Sequence, residues 1–157
     1  RTLYTYFNNK NEVYQAVVES ELEELYNALE MVLKRDLPAD EKLLLFIETR
    51  LDIIKNVVFR NGTLRADFFR DIWRVQNVRK SFDVREIQVL ETILDKGVEE
   101  GTLDMPDTHQ TAIILHHALK GIEVPYIRGL IDPSQYDNDR RRHVNIAYLI
   151  FQGIKKK

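Results

Sequence analysis

Apolar residues recur at intervals of three and four along most of the chain, which is the spacing that predicts amphipathic helices. The first long stripe predicts a helix over residues 12–35, and Asn9 with Glu12 resembles an N-terminal capping box. A second helix is predicted after Pro38, beginning at Asp40. Its inner stripe is wide, which indicates a central helix, and consists of Leu44, Ile47, Leu51, Ile54 and Val58 with Leu43, Phe46 and Val57 beside them.

The middle of the chain predicts two further helices separated by a break. The first covers about Leu64 to Val78 and follows an Asn-Gly-Thr turn signal. We expect the chain to restart at Ser81 and to end its next helix at Gly101, a favourable C-terminal cap. The apolar stripe expected for that second helix is Val84, Ile87, Leu90, Leu94 and Val98.

Another capping box begins at Asp107, with Gln110 three residues later, and predicts a helix that reaches about residue 130. Pro125 is expected to kink it. Strand-like alternation is absent from the sequence, so the predicted fold class is all-α, a helical bundle.

The last predicted helix, over about residues 140–154, has two apolar faces, whereas a surface helix of a monomer needs one. Burial against this chain and against a second copy about a two-fold axis accounts for both faces. The homodimer interface is therefore predicted at Ile146, Leu149, Ile150 and Ile154.

Composition narrows the possible classes of protein. The chain has 157 residues, 44% of them hydrophobic and 31% charged, which suits a globular domain with a real core. Cysteine is absent, so disulfides and thiolate metal sites are excluded, and a reducing cytoplasm fits. No apolar run approaches the roughly 20 residues that cross a bilayer. A net charge of −2 argues against a general nucleic-acid coat protein, and the acidic stretch 11–48 would confine DNA contacts to the first residues.

Those first residues combine hydroxyls, aromatic rings and cations. Residues 2–7 hold two threonines among four large apolar side chains, flanked by Arg1 and Lys10 without an acidic residue. A short helix, an Asn-Asn turn and a capped long helix form a shape suited to DNA, because these groups donate to phosphates and touch base edges. The alternative is that Tyr4, Tyr6 and Phe7 are core aromatics of a small helical cap.

The segment TLYTYFNNKNEVYQAVVE resembles the end of the DNA-binding head of the tetracycline-repressor (TetR) family of transcription regulators. The matching positions are Thr2, Leu3, Tyr4, Tyr6, Phe7, Lys10, Glu12 and Val17. The resemblance implies that residues 1–35 are the end of the head, with its recognition helix at about 1–7, and the linking helix. Residues 36–157 would be the regulatory, ligand-binding and dimerisation domain.

The DNA-binding residues that the resemblance implies are Thr2, Tyr4 and Lys10 at phosphates and Arg1, Thr5 and Tyr6 near base edges. The family places two further helices before this segment. As given, the chain is therefore expected not to bind an operator by itself.

Catalytic motifs are missing from the sequence, so an enzyme is not expected and no cofactor is predicted. A metal site is not predicted either, because the adjacent His116 and His117 would point about 100° apart on a helix. A small-molecule pocket in the helical body is predicted instead, with aromatic walls and a few polar points. Its candidate residues are Trp73, Phe69, Phe59, Tyr126, Arg50 and His117, for which plain core packing is the alternative.

Together these features predict a cytoplasmic, homodimeric repressor whose binding to operator DNA is controlled by a small-molecule effector, without membrane attachment. The rival hypothesis is a helical ligand carrier or protein-interaction module that does not bind DNA. The encoded residues upstream of Arg1 would separate the two, since two more helices with a turn favour the repressor.

Overall fold

The computed structural model describes residues 10–60, 72–127 and 146–157. The helices in these ranges are α1 (Lys10–Leu33), α2 (Ala39–Arg60), α3 (Ile72–Glu100), α4 (Thr108–Ile127) and α5 (Ile146–Ile154). Over these same ranges the only β-type pairing is one isolated antiparallel bridge between Leu103 and Lys155. The predicted all-α class is confirmed, and the predicted long first helix is present as α1.

The helices pack as a bundle in which α2 and α3 form the middle. Each of these two helices packs against the other and against both α1 and α4. The core lies between these four helices, and its large apolar members include Leu25, Leu29, Leu43, Phe46, Ile47, Leu51, Phe82, Leu90, Ile93, Leu94 and Leu119. α5 lies at the edge, where Ile150 and Ile154 pack against the same core. The central position predicted for the second helix is therefore confirmed.

The buried face of α2 is rotated from the predicted stripe. Leu43 and Phe46, expected only to widen it, are fully buried, whereas Leu44 is half-buried. The centre of the face therefore falls along positions 43, 46, 47, 50 and 51. This rotation brings Arg50, which is 0% exposed, into the middle of the bundle.

The predicted break at Ser81 is wrong, because α3 runs without interruption from Ile72 to Glu100. Ser81 lies on an exposed face, where a serine costs a helix only a few tenths of a kcal/mol, and glycine and proline are absent from positions 72–96. The predicted stripe is also partly wrong, since Val84 and Val98 are 58% and 42% exposed. The face that is buried instead carries Arg79, Phe82, Glu86, Val89, Leu90, Ile93, Leu94 and Gly97.

The predicted cap at Gly101 is confirmed. Gly101 has φ of 80°, and its N–H donates to Val98 O at 3.2 Å while Thr102 N–H donates to Gly97 O at 3.0 Å. These two bonds form a Schellman motif, which closes the end of α3. The turn brings Leu103 onto α3 so closely that a Cβ at Gly97 would lie 2.6 Å from Leu103 Cγ.

The start of α4 follows the predicted cap, because Gln110 N–H donates to Asp107 Oδ1 at 2.9 Å. Pro125 lies inside α4. After α5, the chain returns to the end of α3, where Asp104 N–H donates to Ile154 O at 2.8 Å. None of the helices described here has the length and apolar character needed to cross a membrane.

Candidate functional site

Seven ionisable side chains meet between α2, α3 and α4, and we call them the charged cluster. Its members are Arg50 from α2, Arg79, Asp83 and Glu86 from α3, and His116, Lys120 and Glu123 from α4. The spacing on α3 and on α4 is the same, four residues and then three, which places each set on one helix face. Because these faces point at the core, most of the cluster is withdrawn from solvent.

Glu123 is a buried carboxylate that is paired with two arginines, Arg79 and Arg50. Its two carboxylate oxygens accept hydrogen bonds from Arg79 Nη1 and Nη2, both at 2.8 Å. Arg50 Nη1 lies 2.7 Å from Glu123 Oε1 on the other side. Arg50 also donates from Nε to Glu86 Oε1 at 2.5 Å. Arg50 therefore joins two carboxylates that come from different helices.

The second half of the cluster surrounds His116. Its Nδ1 lies 3.5 Å from Glu86 Oε2, and its Nε2 lies 3.6 Å from Asp83 Oδ1. Lys120 Nζ donates to Asp83 Oδ2 at 2.6 Å, and Arg79 Nε lies 3.8 Å from Asp83 Oδ1. Asp83 and Glu86 thus each give one oxygen to a cation and turn the other toward the imidazole.

Burial penalises ionisation of the two innermost carboxylates, but their cationic neighbours outweigh it. Arg79 and Arg50 lower the pKa of Glu123 to about 2, against that penalty. Burial likewise opposes the charge on Glu86, yet Arg50 and then His116 hold its pKa below the ordinary value. Burial also opposes the charge of Arg50, but the carboxylates of Glu86 and Glu123 raise its pKa. Glu123, Glu86 and Arg50 therefore stay ionised at neutral pH.

The charges balance when His116 is neutral, since three acids face two arginines and one lysine. An apolar bundle tolerates buried ions only when they are paired in this way. The hydrogen bonding is incomplete, however. The buried side-chain atoms of the cluster that lack a hydrogen-bond partner within the described ranges are Arg50 Nη1 and Nη2, Arg79 Nε, Asp83 Oδ1, Glu86 Oε2 and His116 Nδ1. Arg50 Nη1 belongs to this set despite its 2.7 Å contact with Glu123, because close charges can meet without hydrogen-bond geometry.

Of the residues predicted for a small-molecule pocket, Arg50 belongs to the charged cluster. His117 is exposed on α4, on a different face from the buried His116, and Phe59 is 48% exposed on α2. Phe69 lies outside the described residues. The backbones of Trp73 and Tyr126 belong to α3 and α4, but their side chains lie outside the description. The aromatic wall of the pocket remains a prediction.

The predicted dimer residues occupy different environments on α5. Leu149 is 59% exposed, while Ile150 and Ile154 are half-buried against the core of the same chain. Ile146 begins α5, and its side chain lies outside the description. Of the three interface side chains that the structure describes, Leu149 thus has the most surface available to a partner.

The predicted DNA-binding residues precede the body. Lys10 is the first residue of α1, and its side chain lies outside the description. The remaining predicted contacts, which also lie outside the described residues, are Arg1, Thr2, Tyr4, Thr5 and Tyr6. Their roles remain predictions.

Sequence reasoning missed six members of the cluster. A signal was present, because Arg79 and Glu86 stand at helical spacing from the apolar Phe82 and Leu90 on what proves to be a buried face. A charged residue in register with a core stripe indicates a buried ion pair when an opposite charge is in register on a neighbouring helix. Arg79 on α3 and Glu123 on α4 meet that condition.

A clamp joins α1 to α3, which carries three of the seven residues of the charged cluster. Arg85 of α3 donates two hydrogen bonds to Glu23 of α1, at 2.9 and 3.1 Å. Its guanidinium carbon also lies 3.5 Å from the ring centre of Tyr26. The side chains are partly exposed, so the clamp adds modest stability and fixes the register of α1 on α3.

Comparison with solved structures shows that this fold has a known counterpart. The fold is similar to that in a crystal structure of a transcriptional regulator from Cytophaga hutchinsonii ATCC 33406, with a TM-score of 0.73 and 20% sequence identity. The similarity covers 98% of this chain and 80% of that chain. No protein-family model and no curated protein sequence matches the chain.

Proposed function

We propose that this chain is part of a TetR-like, DNA-binding transcriptional regulator, and specifically a repressor. The observation that carries the proposal is the likeness of fold, over 98% of the chain, to a transcriptional regulator. The segment RTLYTYFNNK supports it independently, because its hydroxyls and its two cations suit contact with DNA phosphates. Residues 1–35 would then supply the end of the DNA-binding head and its link, and residues 36–157 the regulatory body.

The contacts of α1 support control by an effector. α1 starts next to the proposed recognition helix and packs along both α2 and α3, the helices that together hold four of the seven residues of the charged cluster. A ligand that prefers one arrangement of these helices would shift α1 through the Glu23–Arg85 clamp. Such a ligand acts only through its different affinities for the two arrangements.

A homodimer completes the proposal. Two recognition helices related by a two-fold axis would reach successive major grooves, about 34 Å apart. The exposed Leu149 on the strongly apolar α5 supports an interface at that helix.

DNA binding is tested with the protein expressed from its complete gene. Bound sequences are selected from a random duplex library, and affinity for the selected operator is measured by fluorescence anisotropy over a salt series. We expect sequence-selective binding that weakens with Tyr4→Phe and Lys10→Ala, and a salt slope lowered by about one for Lys10→Ala. Lys34→Ala is the matched control, because it removes an exposed cation just after the C-terminal end of α1, and it should leave binding unchanged.

Failure to enrich any sequence would overturn the proposal and favour the ligand carrier or interaction module. Selective binding that is insensitive to Tyr4→Phe and Lys10→Ala would leave a DNA-binding protein but refute the phosphate contacts assigned to these residues.

A further inference from the structure

Three of the buried atoms without hydrogen-bond partners belong to residues that face one another. Asp83 and Glu86 stand three residues apart on α3, and His116 faces them from α4. One potential ligand atom from each residue lies within 4.8 Å of the other two. From this geometry we propose that Asp83, Glu86 and His116 bind a divalent transition-metal ion, with Zn²⁺ as the reference case.

The spacing fits such an ion. Metal–ligand bonds of about 2.0–2.2 Å to imidazole nitrogen and carboxylate oxygen separate neighbouring ligands of a tetrahedral site by roughly 3.3–3.6 Å. His116 Nδ1 and Glu86 Oε2 are 3.5 Å apart, and Asp83 Oδ1 lies 3.6 Å from the other imidazole nitrogen, Nε2. Because only one of these nitrogens can bind the ion, the carboxylate that faces the other nitrogen would approach it from a distance of up to 4.8 Å. One nitrogen and two oxygens form a donor set that suits Zn²⁺ and its first-row neighbours better than Ca²⁺ or Mg²⁺, which prefer oxygen alone.

Burial gives an independent reason to expect a ligand here. The side chains of Glu86 and His116 are 0% and 1% exposed, and Asp83 is 16% exposed. Within the described ranges, Glu86 Oε2, His116 Nδ1 and Asp83 Oδ1 have no hydrogen-bond partner. A buried polar atom in that condition is unfavourable, and a cation held by one imidazole nitrogen and one oxygen of each carboxylate would supply the missing partner.

The surrounding cations both support and oppose metal binding. Arg50 holds Glu86 Oε1 and Lys120 holds Asp83 Oδ2, so the free oxygen of each carboxylate is oriented by an outer partner. The positive charges of Arg50, Arg79 and Lys120 nevertheless repel an incoming cation. Lys120 is the one that can yield, because its side chain is 20% exposed and can turn to solvent.

This balance gives the site a signature that an accidental surface site lacks. Removal of a metal-binding side chain must lower the affinity for the metal ion, whereas removal of the Lys120 ammonium group must raise it. Lys120→Met keeps the apolar stem and deletes the competing ammonium, so we expect the affinity for Zn²⁺ to rise by about tenfold or more.

The test uses untagged protein, freed of metal by a chelator and then titrated with ZnCl₂ by calorimetry. Co²⁺ absorbance in the visible region reports ligation independently. We expect one ion per chain, and at least about tenfold weaker binding for His116→Gln, Glu86→Gln and Asp83→Asn. His117→Gln is the matched control, since it changes the neighbouring histidine on an exposed face and should retain the wild-type affinity.

Circular dichroism of the metal-free variants shows which of them fold. If Glu86→Gln does not fold, the partly exposed Asp83→Asn and the opposite response of Lys120→Met still decide the matter. The proposal is overturned if the wild type shows no saturable Zn²⁺ binding. It is equally overturned if His117→Gln loses as much affinity for Zn²⁺ as His116→Gln, or if Lys120→Met lowers the affinity for Zn²⁺. These measurements involve no DNA, so their outcome is independent of the proposed regulator function.

Discussion

Replacement of Glu123 by glutamine tests the electrostatic account of the charged cluster most directly. Gln keeps the shape of Glu and one acceptor oxygen, but it removes the anion between Arg50 and Arg79. Two fully or nearly fully buried guanidinium groups then share fewer counter-charges. Breaking a buried ion pair from one side typically costs about 3–5 kcal/mol.

The pKa of Glu123 gives a second route to the same magnitude. A fall from the ordinary value of 4.5 to about 2 corresponds to about 3 kcal/mol of stability at neutral pH. Because the pKa is lowered by folding, this stabilisation is complete above pH 4.5 and is lost as the pH falls through about 2. The difference between wild type and Glu123→Gln should therefore be constant near neutrality and shrink below pH 4.5.

The free energy of unfolding is measured by urea denaturation with circular dichroism, at fixed protein concentration because association adds stability. The pH series runs from neutrality into the acid range. Glu99→Gln is the matched control: its side chain is 73% exposed and 3.7 Å from Lys96, so a loss below about 0.5 kcal/mol is expected. A loss below about 1 kcal/mol for Glu123→Gln at neutral pH, or one that grows on acidification, would refute the reasoning.

Three further changes test the packing, the capping and the assembly. Gly97→Ala should destabilise the fold by about 1–3 kcal/mol in urea denaturation, because the new methyl group meets Leu103, whereas Gly121→Ala has open space and should be neutral or stabilising; equal effects would contradict the close approach. Asp107→Ala should cost about 1 kcal/mol in the same assay by removing the cap of α4, and an unchanged denaturation midpoint would show that the cap contributes nothing. Leu149→Glu should give monomers in sedimentation velocity, and persistent dimers would place the interface elsewhere.

Elements whose causes are local were predictable from the sequence. The hydrogen bonds at the caps of α3 and α4 join residues three to five positions apart. Gly101 and Asp107 therefore predict these caps from the local sequence alone. The break predicted at Ser81 was wrong because a polar residue in a helix interior terminates it only if nothing else holds the helix. Here the burial of Phe82 and its neighbours against other helices stabilises the helical conformation at Ser81, so α3 continues past it.

The charged cluster could not be obtained in this way, since its cause is not local. Arg79 Nη1 lies 2.8 Å from Glu123 Oε2, although the two residues are 44 positions apart in sequence. Either residue read singly belongs on a solvated surface, because an unpaired buried ion is prohibitively unfavourable. Burial becomes possible only when packing of α3 on α4 supplies the opposite charge.

The sequence by itself determined the helical class, the caps of α3 and α4, and the long first helix, because periodicity and capping residues act within a few turns. Tertiary packing decided how each helix is rotated about its axis. Consecutive residues of a helix point about 100° apart, so the rotation of α4 about its axis determines which of two neighbours is buried. Packing thus decided that His116 enters the charged cluster while His117 faces solvent. The same choice placed Arg50 at the centre of the bundle, where the carboxylates of two other helices surround it.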